Sequence, residues 1–482
     1  MNRVYPLLLF ALGLAMLFIM FFMSGVFGIF YDTALASFLL LIVLCIPLFF
    51  ENIKWYEPVF AVNAMFFLFG ISGVYLAYTG FSTAEHAVHD FSDLARRAPL
   101  IILYVVTWIL CFYIGYLFLR KDPVELANND SLVPPVKENQ AVAMRIFSAL
   151  CFIVAFFNLA YNIWIFSPDS PIAYFTSFGV SRYREQVNEG IYTTLGYNLF
   201  IVGFIFYRHS FLNWSWRRIV SFSVLLVLSL AAFLSRGQIF FTFSIVLFLL
   251  VLEYFFSRNR KAYFYWIMGI LPILCVVVVS SYFFRLVSVE FFLAEKAGND
   301  LDIIQSFFSK ISGFGALIFG KGNVPNLPAM LVYEDHFGNI ESYLSGKSLV
   351  SWLSAFIPYF DATYIGYGIS DTWYPNNVGG IPPGVVHELL ANFGFLGGLL
   401  SAIVLGAIAA CLFNIFYEKR GFLLCVMYSA LLVRFWFILP KVEFAVLSNA
   451  IWLFLPASAV FLFFLGFSRV FLDRPMLQKN KL

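Results

Sequence analysis

Arginines and one acidic stretch carry most of the chemistry this sequence can offer. Arg182 and Arg184 stand in Ser181-Arg182-Tyr183-Arg184-Glu185, and Arg236 in Ser235-Arg236-Gly237-Gln238. Arg285 follows Ser280-Ser281-Tyr282, and Arg434 lies inside an apolar run. A guanidinium is a planar fork of donors that fits phosphate in bidentate fashion, so several converging would neutralise a pyrophosphate. Arg96 and Arg97, ahead of another apolar run, belong to the same set. The other reading of each is snorkelling to headgroups, or pairing with an acid such as Glu185, Glu290 or Glu443.

The acidic stretch is Pro382-Pro383-Gly384-Val385-Val386-His387-Glu388-Leu389-Leu390-Ala391-Asn392-Phe393-Gly394. Proline favours the first turn of a helix, which places His387 and Glu388 near a helix start at a membrane surface. Glu388 and Asn392 are four apart and share a face. A carboxylate or imidazole there could take the proton of a hydroxyl nucleophile. The duller reading is a polar first turn in which Glu simply complements the helix dipole. Other groups offer less. His86, His89 and Asp90 make a poor metal site in one loop. His209 beside Arg208 and His336 beside Asp335 read as solvated. Tyr359, Tyr364, Tyr367, Trp373 and Tyr374 could stack on sugar rings or anchor at an interface. No glycine-rich nucleotide loop, serine elbow or cysteine-based site is present, so no cofactor is expected.

The elements that must position these residues follow from composition. Of 482 residues, 62% are hydrophobic, 20% aromatic and only 12% charged, with a mean hydropathy of +0.87. Soluble domains carry about 25% charged residues. A soluble enzyme, a nucleic-acid binder and a disordered scaffold are therefore excluded, and the chain reads as an all-α polytopic membrane protein. Apolar stretches long enough to span number about twelve. They lie near 4–23, 34–50, 59–79, 99–119, 144–166, 191–207, 219–234, 237–256, 263–283, 390–416, 421–438 and 445–467. The first is long enough to be a span rather than a cleaved leader. The six cysteines all lie inside apolar runs and read as small buried hydrophobes.

Lysine and arginine in the short loops concentrate on one side when both termini are cytoplasmic, which sets the orientation. The net charge of +3 follows from that topology rather than from an acidic partner. Residues 1–283 then hold the first nine predicted spans, 284–389 form one long extracytoplasmic loop, and 390–482 hold the last three with a cytoplasmic tail. A loop of that length is uncommon without a role. Within it Leu301, Ile304, Phe308 and Ile311, after Asn299-Asp300, predict a short surface helix, and Leu349, Trp352, Leu353 and Phe356 predict another.

The order of these features resembles the Wzy-type O-antigen polymerases, a family of oligosaccharide repeat-unit polymerases. The matching residues are Ser235-Arg236-Gly237 between central spans, Arg184-Glu185 in the preceding outer loop, and Gly346-Lys347-Ser348 leading to Ile357-Pro358. Glu388-Leu389-Leu390-Ala391-Asn392-Phe393-Gly394 completes them. The sequence departs from the family pattern after Ile357-Pro358, where Tyr359-Phe360 stands in place of an Arg and a later Lys-Pro.

The resemblance implies a metal-independent glycosyltransferase in the bacterial inner membrane with its site facing the periplasm. Its donor would be a glycan on undecaprenyl pyrophosphate and its acceptor a single lipid-linked repeat unit. Arg182, Arg184, Arg236, Arg285 and Arg434 would hold the pyrophosphate, and Glu388 or His387 would act as the base. A chain-length regulator becomes a candidate partner beside the lipid-linked substrates and membrane lipid. The rival readings are an O-antigen ligase transferring glycan to the lipopolysaccharide core, a lipid-linked oligosaccharide flippase or transporter, and a non-catalytic assembly subunit. A flippase would carry polar residues at mid-membrane depth and comparable loops on both faces. Here polar residues crowd the outer ends.

Overall fold

The computed structural model describes residues 29–49, 53–78, 97–121, 138–166, 190–210, 217, 220–221, 224–225, 239–256, 327–338, 341–357, 359–366, 369, 384–419 and 421–467. Among these residues the structure is mostly helical and contains no β-strand. Lipid offers backbone groups no partner, so a chain this apolar must satisfy them within helices. In chain order the helices are α1 (Ile29–Leu44), α2 (Pro58–Tyr78), α3 (Ala98–Leu119), α4 (Glu138–Phe166) and α5 (Gly190–His209). Then follow α6 (Ile239–Phe256), α7 (Leu327–His336), α8 (Gly384–Lys419), α9 (Phe422–Leu431) and α10 (Leu447–Phe467). A 3-10 helix runs Ser348–Ala355, a π-helical turn Leu432–Trp436, and a short 3-10 turn Phe444–Val446 leads into α10.

Among the described residues five segments are long and apolar enough to cross a membrane: Asp32–Phe49, Ala98–Leu119, Ala141–Ile165, Gly384–Lys419 and Phe444–Phe464. Helices therefore stand where the sequence predicts spans near 34–50, 99–119, 144–166, 390–416 and 445–467. The predicted spans at 4–23 and 263–283 and the surface helix at 301–311 lie outside the described residues. The second stretch predicted as helical, Leu349 to Phe356, falls largely in the 3-10 helix Ser348–Ala355.

The chain forms two compact units. The first draws on Met1–Glu125, Ser309–Glu418 and Leu431–Ser448. In it, α3 and α8 meet without intervening side chains. A methyl added at Gly406 would come within 2.1 Å of the Phe112 carbonyl oxygen, and one at Gly115 within 1.9 Å of that of Ile403. In lipid, where burial of apolar surface gives helices no mutual attraction, such close small-residue crossings supply the packing. The opposite face of α8 presents Leu396, Leu400, Val404, Ile408 and Ile415, all exposed. Their spacing of mostly four residues makes one continuous apolar stripe, the pattern of a lipid-facing surface.

One end of this unit is fastened by a buried ion pair. Glu57, wholly buried, accepts from Arg120 Nε at 2.7 Å, Arg120 Nη2 at 2.9 Å and the Tyr116 hydroxyl at 2.6 Å. The Lys54 backbone N–H adds a bond of 2.7 Å. Elsewhere in the unit, Arg97 at the start of α3 holds Glu334 at 2.9 Å and Asp335 at 2.8 Å on α7. That pairing gives Arg97 a fastening role, so the sequence's alternative reading of a residue-pair contact is the one the geometry carries here.

The second unit draws on Leu126–Phe308, Lys419–Ala430 and Asn449–Leu482. Its α4 and α5 lie side by side, with Ser148 donating to the Gly203 carbonyl at 2.8 Å and Phe152 edge-on to Phe204. Arg208 pairs with Glu253 of α6. His209, expected to be solvated, instead lies against the rings of Phe256 and Phe422, with centroids 4.9 and 4.6 Å away. Its position at the end of an apolar helix, not the adjacent Arg208, decides its surroundings.

Candidate functional site

The site residues assemble around an interruption in α8. Gly394 breaks that helix at φ 71° and ψ −175°, a backbone that L side chains rarely adopt. The break leaves the carbonyls of the preceding turn without their usual partners four residues on. A distant segment supplies them: Leu344 N–H donates to Ala391 O and Ser345 N–H to Asn392 O, each at 2.9 Å. Ser345 and Gly346 adopt positive φ there, at 53° and 91°, which turns the chain against the helix end. A side chain at Gly394 would also meet the Tyr343 ring at 3.2 Å. The glycine thus serves the same junction twice, by conformation and by clearance.

Side chains complete the junction. The Gly346 N–H donates to Asn392 Oδ1 at 2.9 Å, and Asn392 Nδ2 donates to the Ser348 hydroxyl oxygen and to Glu388 O, both at 2.7 Å. The Ser348 hydroxyl in turn donates to Glu388 Oε1 at 2.8 Å. The other Glu388 oxygen, Oε2, accepts the Phe444 backbone N–H at 2.5 Å. Amide, hydroxyl and carboxyl therefore form a directed chain that ends on the accepting oxygens of Glu388. Two motifs that the sequence offers separately, Gly346-Lys347-Ser348 and Glu388…Asn392-Phe393-Gly394, are parts of one network.

The entry to α8 is held as firmly. The helix begins directly after Pro382-Pro383, as the prolines predict, and Gly384 at φ 72° sits where a methyl would fall 2.2 Å from Pro440 O. Val385 N–H donates to Leu439 O at 3.0 Å. His387 and Glu388 lie in the first turns of α8, and both have zero exposure. The dipole-only reading of Glu388 fails, because its oxygens bond Ser348 and Phe444 rather than N–H groups of its own first turn. Neither ring nitrogen of His387 has a hydrogen-bond partner among the described residues.

Sequence reasoning missed Glu443 as a member of this site. Its Oε1 accepts the Gly366 N–H at 2.7 Å, while the Phe444 N–H, on the very next peptide, holds Glu388. No ion pair between Glu443 and an arginine is seen among the described residues, and four of the candidate arginines lie outside them. Burial pushes the Glu443 carboxyl up to about 7, against the opposing pull of the Gly366 and Ile365 N–H groups. The one available signal was an acidic residue immediately ahead of an apolar span, which any ordinary helix start shares.

Arg434 is the one predicted pyrophosphate-binding arginine among the described residues. It is 1% exposed and lies in the π-helical turn, where Phe435 contacts the Phe444 ring at 5.5 Å between centroids. Such turns are frequent at functional positions. Arg182, Arg184, Arg236 and Arg285 lie outside the described residues, as do Arg96, His86, His89 and Asp90. His336, expected to be solvated beside Asp335, is 3% exposed and lies 3.4 Å from Glu341. The bend that follows α7 folds Glu341 back onto it, a non-local contact that the flanking residues do not announce.

The chain matches the family model described as "O-antigen polysaccharide polymerase Wzy" over residues 9–474. Comparison with curated proteins gave no match, and comparison with solved structures gave none either. The match takes in nearly the whole chain, including the Glu388–Asn392 network and every span described above. The protein belongs to the O-antigen polysaccharide polymerase Wzy family.

Proposed function

We propose that this protein joins lipid-linked oligosaccharide repeat units by glycosyl transfer at the periplasmic face of the bacterial inner membrane. The donor is a growing glycan on undecaprenyl pyrophosphate, and the acceptor is one repeat unit on the same carrier. In this reading the chain crosses the membrane about twelve times, with both termini cytoplasmic. Residues 284–389 form the periplasmic loop between the spans of 1–283 and those of 390–482. The reaction proceeds without metal. A chain-length regulator is a partner of the assembled enzyme.

An acceptor sugar hydroxyl attacks the anomeric carbon and undecaprenyl pyrophosphate departs. Arg182, Arg184, Arg236, Arg285 and Arg434 neutralise the leaving group, an interaction that strengthens as charge develops. The acceptor side is the cluster anchored by Glu388, with His387 beside it in the chain, and it takes the hydroxyl proton. The observation that supports this reading is the Glu388 carboxylate itself. It is wholly buried and held by neutral donors, with no cation paired to it among the described residues. A carboxylate kept only for structure is normally paired when buried.

The test uses purified protein and a lipid-linked repeat unit in detergent, without nucleotide or metal, with products resolved on a gel. A ladder that collapses in Arg236→Ala and Arg285→Ala is the expected result. Transfer only after lipopolysaccharide core is added would overturn the polymerase reading in favour of a ligase. Silence in both would overturn glycosyl transfer altogether.

A further inference from the structure

The Glu388 cluster contains a second carboxyl whose bonding is incomplete. Glu443 Oε1 is committed to the Gly366 N–H at 2.7 Å. Its Oε2 is buried and makes no hydrogen bond of good geometry among the described residues, although the Ile365 N–H also lies close enough to pull on the carboxyl. Glu388 differs, since each of its oxygens already holds a protein donor. Glu443 also stands where an acid ordinarily caps a helix, with extended backbone at φ −70° and ψ 162°, yet its side chain makes no capping bond. It reaches instead to the 359–366 segment, and the cap explanation for its presence falls away.

We infer that Glu443 is the group that binds the acceptor hydroxyl and takes its proton, and that Glu388 is the positioning residue that fixes it. The inference rests on the glycosyl-transfer reading above. Glu388 grips the N–H of the peptide that Glu443 begins, so the network through Ser348 and Asn392 ends on the mount of Glu443. As the hydroxyl oxygen bonds the anomeric carbon, its O–H bond breaks and the proton moves to Glu443 Oε2. The bond from the anomeric carbon to the pyrophosphate oxygen breaks, and its electron pair leaves with undecaprenyl pyrophosphate. The proton then passes from Glu443 to water. A carboxyl poised near neutrality suits that exchange.

Chemical rescue separates a base from a brace. In the purified-protein ladder assay, Glu443→Ala should lower the rate by about 10²–10⁴-fold while retaining binding of the lipid-linked repeat unit. Added formate should restore part of that rate, because it supplies a carboxylate to the space vacated. Glu388→Ala should fall as well and gain nothing from formate. Glu443→Gln, which keeps the shape and the Gly366 bond, should remain as inactive as the Ala variant without formate. A Glu443→Gln enzyme that makes a normal ladder would overturn the inference and leave the polymerase reading intact. So would a Glu443→Ala enzyme that loses repeat-unit binding and ignores formate. A wild-type enzyme that makes no ladder fails the polymerase reading first.

Discussion

Glu57 and Glu388 are both wholly buried carboxylates of the same compact unit, and they are kept in different ways. Glu57 is saturated by a cation: Arg120 binds both of its oxygens, with Tyr116 and the Lys54 N–H completing the shell. Glu388 has a serine hydroxyl, a backbone N–H and no cation among the described residues. Beside it are groups with unmet capacity among the described residues, the His387 ring and Glu443 Oε2. A closed ion pair lowers its own energy and asks nothing of a ligand. An acceptor-only carboxylate set among open polar atoms costs stability and is useful where substrate groups arrive. The contrast makes Glu57 a fastener, and it is the reason the proposed chemistry is assigned to the Glu388 cluster.

The largest effect on folding should come from the fastener. Glu57→Gln leaves the buried Arg120 without its counter-charge, a loss of about 3–5 kcal/mol. Thermal unfolding in detergent should show it, while the rate per folded molecule stays near that of the wild type. Asn392→Ala acts on the other cluster. It frees the Gly346 N–H and unseats Ser348, a cost of about 1–3 kcal/mol in stability. Here ladder formation should fall further than the melting temperature implies, because the junction positions Glu388 as well as closing the helix end.

A pH series sharpens the difference. Glu443 is raised from 4.5 to about 7 in the fold, so its protonated form is the one that folding favours. The stability it contributes is present below about 4.5 and is lost as pH rises through about 7. Activity should rise over the same window, since the base must be ionised, and Glu443→Gln should flatten the stability trend. Among the described residues the charged groups on the surrounding elements include Glu388 of α8, Lys347 before the 3-10 helix and Asp361 in the 359–366 segment. Arg434 and Lys441 belong to the segment of Glu443 itself. Smallest of all is Arg97→Ala. Its side chain is 41% exposed, and water screens its pairs with Glu334 and Asp335. The change should cost about 0.2–1 kcal/mol, read from the melting temperature, and leave the ladder unchanged.

The spans were legible because membrane thickness imposes a run length that composition alone reveals. The stretches at 99–119 and 390–416 became helices, the second extended back to Gly384 by the Pro382-Pro383 start. Within the site, Glu388, Asn392 and Gly394 were legible as a spaced motif. Their closure onto Gly346 and Ser348 was not, since forty residues separate Ser348 from Glu388 and local periodicity is silent about such pairing. Glu443 was visible in the sequence only as an acid before an apolar run. His209 and His336 were misread for a related reason: charged neighbours in sequence suggested water, whereas aromatic rings and a folded-back turn enclose them.

The most direct test compares Glu388→Gln with Glu57→Gln in the ladder assay, each normalised to folded protein. Glutamine at 388 offers one acceptor oxygen to two donors, so its N–H₂ must face either the Ser348 hydroxyl or the Phe444 N–H and one of the two bonds is lost. Glu388→Gln should lose at least about 10²-fold in chain extension, while Glu57→Gln should extend chains at the wild-type rate per folded molecule. A normal ladder from Glu388→Gln, or an equal loss from both variants, would contradict the assignment of the Glu388 cluster as the acceptor site.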